Sequence, residues 1–175
     1  MKKKFSILAI LILIGSSKIF AEDTKPIQLS LFNPVQIYSE DVSIEGVRLN
    51  LIYGVNNNIT GLDIGIVNKV KGNATGIQYG FANCVKGNFN GLQESIINRT
   101  KGNFTGWQGG MVNLTEGDFL GLQTGIYNYS NKIKGVQFGL VNNTNSLEGL
   151  QIGLININGS KNPYYILPIV NFSFK

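Results

Sequence analysis

Residues 102–128 read GNFTGWQGGMVNLTEGDFLGLQTGIYN, and the stretch nearly repeats itself: GNFTGWQGGMVN, then GDFLGLQTGIYN fifteen residues later. Working outward on the glycines gives eight related units. They are GVRLNLIY at Gly46, GLDIGIVN at Gly61, GIQYGFAN at Gly76, GLQESIIN at Gly91, GWQGGMVN at Gly106, GLQTGIYN at Gly121, GVQFGLVN at Gly135 and GLQIGLIN at Gly149. Five successive steps are fifteen residues and the last two are fourteen. Self-similarity at a fixed period is the signature of a repeat architecture. Positions below are counted from the leading glycine of each unit.

The columns are strict. The first glycine is present in all eight units, and a fifth-position glycine in six, with Asn50 and Ser95 as the exceptions. Glutamine stands third in six units, after Arg48 and Asp63 in the first two. Asparagine closes seven, with Tyr53 in the remaining one. Further glycines at 72, 87, 102 and 117 mark turns, so the repeat absorbs 18 of the 22 glycines in the chain. In GIQYGFAN, Ile77, Tyr79 and Phe81 alternate with Gly76, Gln78 and Gly80. Period two predicts strand, and glycines this dense weaken any helix by about 1 kcal/mol each. The array is therefore expected to be all-β.

Two architectures use such a unit. In a β-solenoid of about eight 14–15-residue coils, identical positions stack at the ~4.8 Å strand spacing. Asn68, Asn83, Asn98, Asn113, Asn128, Asn142 and Asn156 then form a structural ladder, each amide bonding to its neighbours above and below. Phe89, Phe104 and Phe119 form another column. Gln78, Gln93, Gln108, Gln123, Gln137 and Gln151 form a candidate contact face. In an antiparallel meander, or a small outer-membrane β-barrel acting as pore or anchor, each unit is one strand between hairpin turns. Equal links and Glu94 favour the solenoid, because outer-membrane barrels alternate short turns with long loops.

The chain divides by pattern. Residues 1–21 have a basic start (Lys2, Lys3, Lys4), the apolar run FSILAILILIG and a small residue, Ala21. That is the pattern of a secretory signal peptide, with an uncleaved anchor as the alternative. Residues 22–45 and 160–175 show strand-like alternation without the repeat, and are read as β caps on an array spanning 46–159. Four of the 15 basic residues and none of the 10 acids fall in the leader. The remainder is nearly neutral, which offers nothing to nucleic acid.

The units, the entry LSLFNPVQIY and the exit ILPIVNFSF resemble an uncharacterised family of bacterial surface-repeat-containing proteins. The resemblance covers roughly residues 27 to 174. It implies export to the bacterial surface, outer membrane or periplasm, and no established activity.

A search for chemistry finds little. Histidine is absent, removing the commonest general base and metal ligand. Cys84 is the only cysteine, so no intrachain disulfide forms and the thiol has no imidazole to activate it. Glu116 and Asp118 flank a turn glycine and read as a solvated turn. GNATG and GNFTG lack the GK[ST] of a phosphate loop and precede strands rather than a helix. Trp107 is weighed as a glycan-stacking residue and as packing. The expectation is an exported, non-enzymatic protein without cofactor or metal. Its structural or interaction role would involve a surface protein, a glycan or an envelope component, with membrane insertion only under the barrel reading.

Overall fold

The computed structural model describes residues 24–160 and 166–174. The expected signal peptide at 1–21 lies outside them, as do the ends of the two expected caps (22–23, 161–165 and 175). The described chain is all-β and wound as a solenoid of about seven turns, because seven steps separate the eight leading glycines. Its strands are β1 (Thr24–Phe32), β2 (Val35–Gln36), β3 (Ser43–Asn56), β4 (Ile59–Val70), β5 (Ala74–Val85), β6 (Phe89–Glu94), β7 (Ile97–Thr100), β8 (Phe104–Gly109), β9 (Val112–Asn158, several coils in one continuous strand) and β10 (Ile166–Ser173).

Register explains the repeat. β4 and β5 pair in parallel with Gly61 on Gly76, Asp63 on Gln78 and Asn68 on Asn83. β5, β6 and β8 continue with Gln78 on Gln93 and Gln93 on Gln108. Each unit therefore translates onto the next. The meander and barrel alternatives are excluded: they need antiparallel neighbours, and every coil-to-coil pairing here is parallel. The rod is roughly 34 Å long at the usual strand spacing.

The leading glycine is needed for close approach. At Gly106 φ is +125°, and a Cβ would lie 2.0 Å from the Gly91 carbonyl oxygen of the coil before. The same crowding against the previous coil recurs at Gly61, Gly76, Gly91, Gly121, Gly135 and Gly149. Alternation runs on through this corner, so the residues on both sides of it, at positions 14 and 3, point inward.

Four columns fill the interior: positions 14, 3, 8 and 10. Positions 14 and 10 hold its apolar half. Ile59, Ala74, Phe89, Phe104 and Phe119 belong to the first, continued by Ile133 and Leu147 at position 13 of the fourteen-residue units; Val70 and Val85 belong to the second. In the units of Phe104 and Phe119, position 10 is the smaller Thr100 or Thr115, which offsets part of the added volume. The three phenylalanines stack with centroids 5.0 and 4.8 Å apart.

The ends differ. β1 pairs in parallel beneath β3, and β2 folds back on it antiparallel. β10 closes the last coil antiparallel, with Phe172 opposite Leu150.

Candidate functional site

The interior facing positions 3 and 8 is built of amides. Gln78, Gln93, Gln108, Gln123, Gln137 and Gln151 are all 0–1% exposed. They cannot serve as the contact face expected of them. The reason lies in the pleat: position 3 shares its face with the inward fifth-position glycine, whereas positions 2 and 4 point out. In this register each Gln Nε2 donates to the Oε1 of the coil before at 2.7–2.8 Å. At the N-terminal end Gln78 Nε2 donates to Asp63 Oδ2 at 2.7 Å. At the other end Asn171 of β10 donates to Gln151 Oε1.

The asparagines form the expected ladder, and its direction is opposite. Asn68, Asn83, Asn98, Asn113, Asn128 and Asn142 each donate Nδ2 to the Oδ1 of the next coil at 2.8–3.1 Å, ending on Asn156. The same amides also donate to the fourth-position carbonyl of the next coil, as Asn68 does to Tyr79 O. Two amide arrays with opposed directions offset one another's dipoles along the rod. Buried amides in this setting are tolerated because donors and acceptors meet partners above and below.

Two exceptions seen in the sequence are explained by these ladders. Asn50 occupies an inward fifth position, and a bulge at Leu51 and Ile52 places Gly54, not Tyr53, at the eighth. Asn50 Nδ2 then donates to Asn68 Oδ1 at 2.7 Å, continuing the ladder from the neighbouring column. A Cβ on Gly54 would overlap the Asn50 amide. The swap of glycine and asparagine is thus mutual. At the start of the glutamine column Arg48 and Asp63 form a fully buried two-pronged ion pair, Nε to Oδ1 and Nη2 to Oδ2, both at 2.7 Å. Asp63, accepting from Arg48, Asn50 and Gln78, ends the glutamine ladder with an acceptor-only group. Opposite charges fifteen residues apart in one column were the available signal for that pair.

A third asparagine column, in the turns, also escaped the motif. Asn58, Asn73, Asn88 and Asn103 accept through Oδ1 from the backbone N–H of the equivalent residue one turn on, at 2.8–2.9 Å.

With the polar groups turned in, the apolar residues of positions 2, 4, 6 and 7 face out. Tyr79 is 57% exposed, Phe81 56%, Phe138 56% and Leu140 50%. In the eight units only Glu94 puts a charge in those four columns. In the fifteen-residue units, positions 9, 11, 13 and 15 form a contrasting, mostly polar side carrying Lys69, Lys86, Lys101 and the turn asparagines. The outer surface is therefore amphipathic around the coil and uniform along it. Trp107 lies in position 2 of the apolar flank, its Nε1 donating to Thr124 Oγ1 at 3.0 Å. Two apolar clefts lie on this flank, one of about 640 Å³ bounded by Leu31, Ile37, Leu49 and Ile64, and one of about 350 Å³ bounded by Phe138, Leu140, Leu154 and Ile169.

On the polar side, Lys71 bridges Asp41 and Glu40 at 2.7 and 2.8 Å, tying the N-terminal loop to the array. Donating hydrogen bonds to Asp41 and then Glu40 raises the Lys71 pKa, while accepting them from Lys71 and then Asn33 lowers that of Glu40. Arg99 is raised by its hydrogen bond to Glu116. Among the described residues no group of three metal-ligating side chains comes together, and Cys84 is half-buried in position 9. Glu116 faces Arg99 rather than Asp118.

Set against family models, curated proteins and solved structures, the chain has no match.

Proposed function

We propose that this is an exported, non-enzymatic β-repeat protein of a bacterial surface or envelope, working by contact along the side of its rod. The observation that carries the reading is the amphipathic exterior. The amides that elsewhere would recognise a polar ligand are bonded to each other inside the rod. The long repeated surface left to a partner is the apolar flank. A contiguous exposed apolar patch much beyond a few hundred Å² marks an interaction site on a soluble protein. The leader pattern of residues 1–21 and the resemblance to surface-repeat-containing proteins support export; the interaction role needs no cofactor, metal or nucleic acid. Its partner would be an envelope component, a surface protein or a glycan.

Intact-mass measurement of the chain recovered from a bacterial expression host tests the location. A mass beginning near Glu22 is expected in the exported fraction. A chain that keeps Met1–Ala21 and stays in the cytoplasm would overturn the surface assignment.

A further inference from the structure

We infer that the apolar flank lies on a phospholipid bilayer, seated at the boundary between headgroups and acyl chains. The inference rests on the contact role proposed above and names its partner.

Positions 6 and 7 both point outward between the inward positions 5 and 8, so they form a projecting corner of every coil. Their columns make a convex ridge along the rod. A rigid protein needs a concave complement to bury such a ridge along its length, and the two clefts of this flank lie toward the ends of the rod. Acyl chains conform to a convex surface without that requirement.

Polarity is also graded around the coil. The apex column is wholly apolar, with Ile66, Phe81, Ile96, Met111, Ile126 and Leu140. The neighbouring positions 2 and 4 carry amphipathic or polar side chains among the aliphatic ones: Trp107, Tyr79, Thr124 and Glu94. Beyond them lie the lysine- and asparagine-bearing columns. Apolar at the greatest depth, Trp and Tyr at the edge and charges farther out is the order of environments met on entering a bilayer surface. A face-to-face copy would bury Glu94, and the flank columns supply no basic side chain to pair with it.

The flank keeps this composition over about seven turns, roughly 34 Å. Binding of an amphipathic surface element scales with the apolar area it buries.

Trp107 is the single tryptophan, so its fluorescence reports on the flank alone. The test uses the full chain with vesicles of phosphatidylcholine, with and without phosphatidylglycerol, and with the same lipids brominated in the acyl chains. Residues 1–21 can themselves hold a chain on vesicles, so the readout is the contact of Trp107 with lipid rather than co-sedimentation. The expected result is a blue shift of Trp107 emission and quenching by brominated lipid. Replacing Phe81→Asp and Leu140→Asp together, at two exposed apex positions, should weaken that quenching by about tenfold or more. Lys86→Asp on the polar side should leave it in place, and unchanged circular dichroism would show that all variants fold. Absence of quenching in the parent overturns the inference, and so does quenching that survives the double substitution. Sedimentation equilibrium without lipid gives the remaining outcome: a dimer that the double substitution dissociates would assign the flank to a second copy and overturn the lipid assignment. An exported chain that ignores vesicles would sink this inference alone; a chain that is not exported would sink the surface reading and leave the vesicle result to stand.

Discussion

The two sides of one strand in this rod follow opposite rules. In β5, Gln78 and Asn83 are buried, while Tyr79 and Phe81, one residue from the glutamine and two from the asparagine, stand in the open. The usual preference for apolar residues inside holds only in positions 10 and 14. The difference teaches what an amide requires. A glutamine in a single coil would be an unsatisfied polar group, costing about 1–3 kcal/mol. Stacked six times at strand spacing, it bonds to its own kind, and only the ends need special treatment. An apolar side chain gains nothing comparable from translation and can be turned out where another surface will cover it.

The ends of the ladders are where this contrast breaks most easily. Arg48→Gln leaves the Asp63 carboxylate buried beside Gln78 without its cation. Removing one partner of a buried pair costs about 3–5 kcal/mol, seen as a large drop in the urea midpoint. The double variant Arg48→Gln/Asp63→Gln continues the glutamine column to its first coil and should recover most of that loss. A double variant as unstable as the single would mean that the charges do more than terminate a ladder.

The next effect belongs to the middle of the rod. Asn113→Leu removes the donor to Asn128 Oδ1 and the acceptor of Asn98, and should cost about 1–3 kcal/mol. Phe81→Ser, on the outer surface of the same array, should cost far less in lipid-free solution. Equal losses of melting temperature in the two variants would erase the distinction between the amide interior and the apolar exterior.

The smallest effect lies on the polar surface. Glu40 is lowered by Lys71 and Lys71 is raised by Asp41 and Glu40. The lowered carboxyl contributes stability above its ordinary value of ~4.3, lost as pH falls; the raised ammonium contributes below ~10.4, lost as pH rises. Lys71→Met should therefore lower the melting temperature slightly at neutral pH. The difference should shrink below about pH 4, as expected for an exposed pair. A gap that persists at pH 3 would point to packing of the lysine stem instead.

The sequence carried the architecture because its information is translational. Gly76, Gly91 and Gly106 at one spacing, with Asn83, Asn98 and Asn113 in phase, state that identical positions stack. The phenylalanine column and the asparagine ladder follow directly. What the pattern could not state is which face is inside. Period-two alternation groups Gln78 with Gly80 and Ile77 with Tyr79, and that grouping is the same for either orientation. Assigning the glutamines to the exterior followed the general habit of polar residues. The decisive term is the fifth-position glycine, whose missing side chain leaves room for the asparagine amide within the coil. The Arg48–Asp63 pair was hidden for a related reason: both look like failures of the glutamine column until the coils are stacked.

Exchange of the side-chain amide protons, followed by nuclear magnetic resonance after transfer into deuterated water, tests the central claim most directly. If the amides form the interior, the NH2 resonances of Gln93, Gln108, Gln123 and Gln137 persist and disappear only with opening of the rod. Those of Asn88 and Asn103, whose side chains lie in exposed turns, vanish at once. Glutamine NH2 signals lost as fast as those of the turn asparagines would place the glutamines in water and contradict an amide interior.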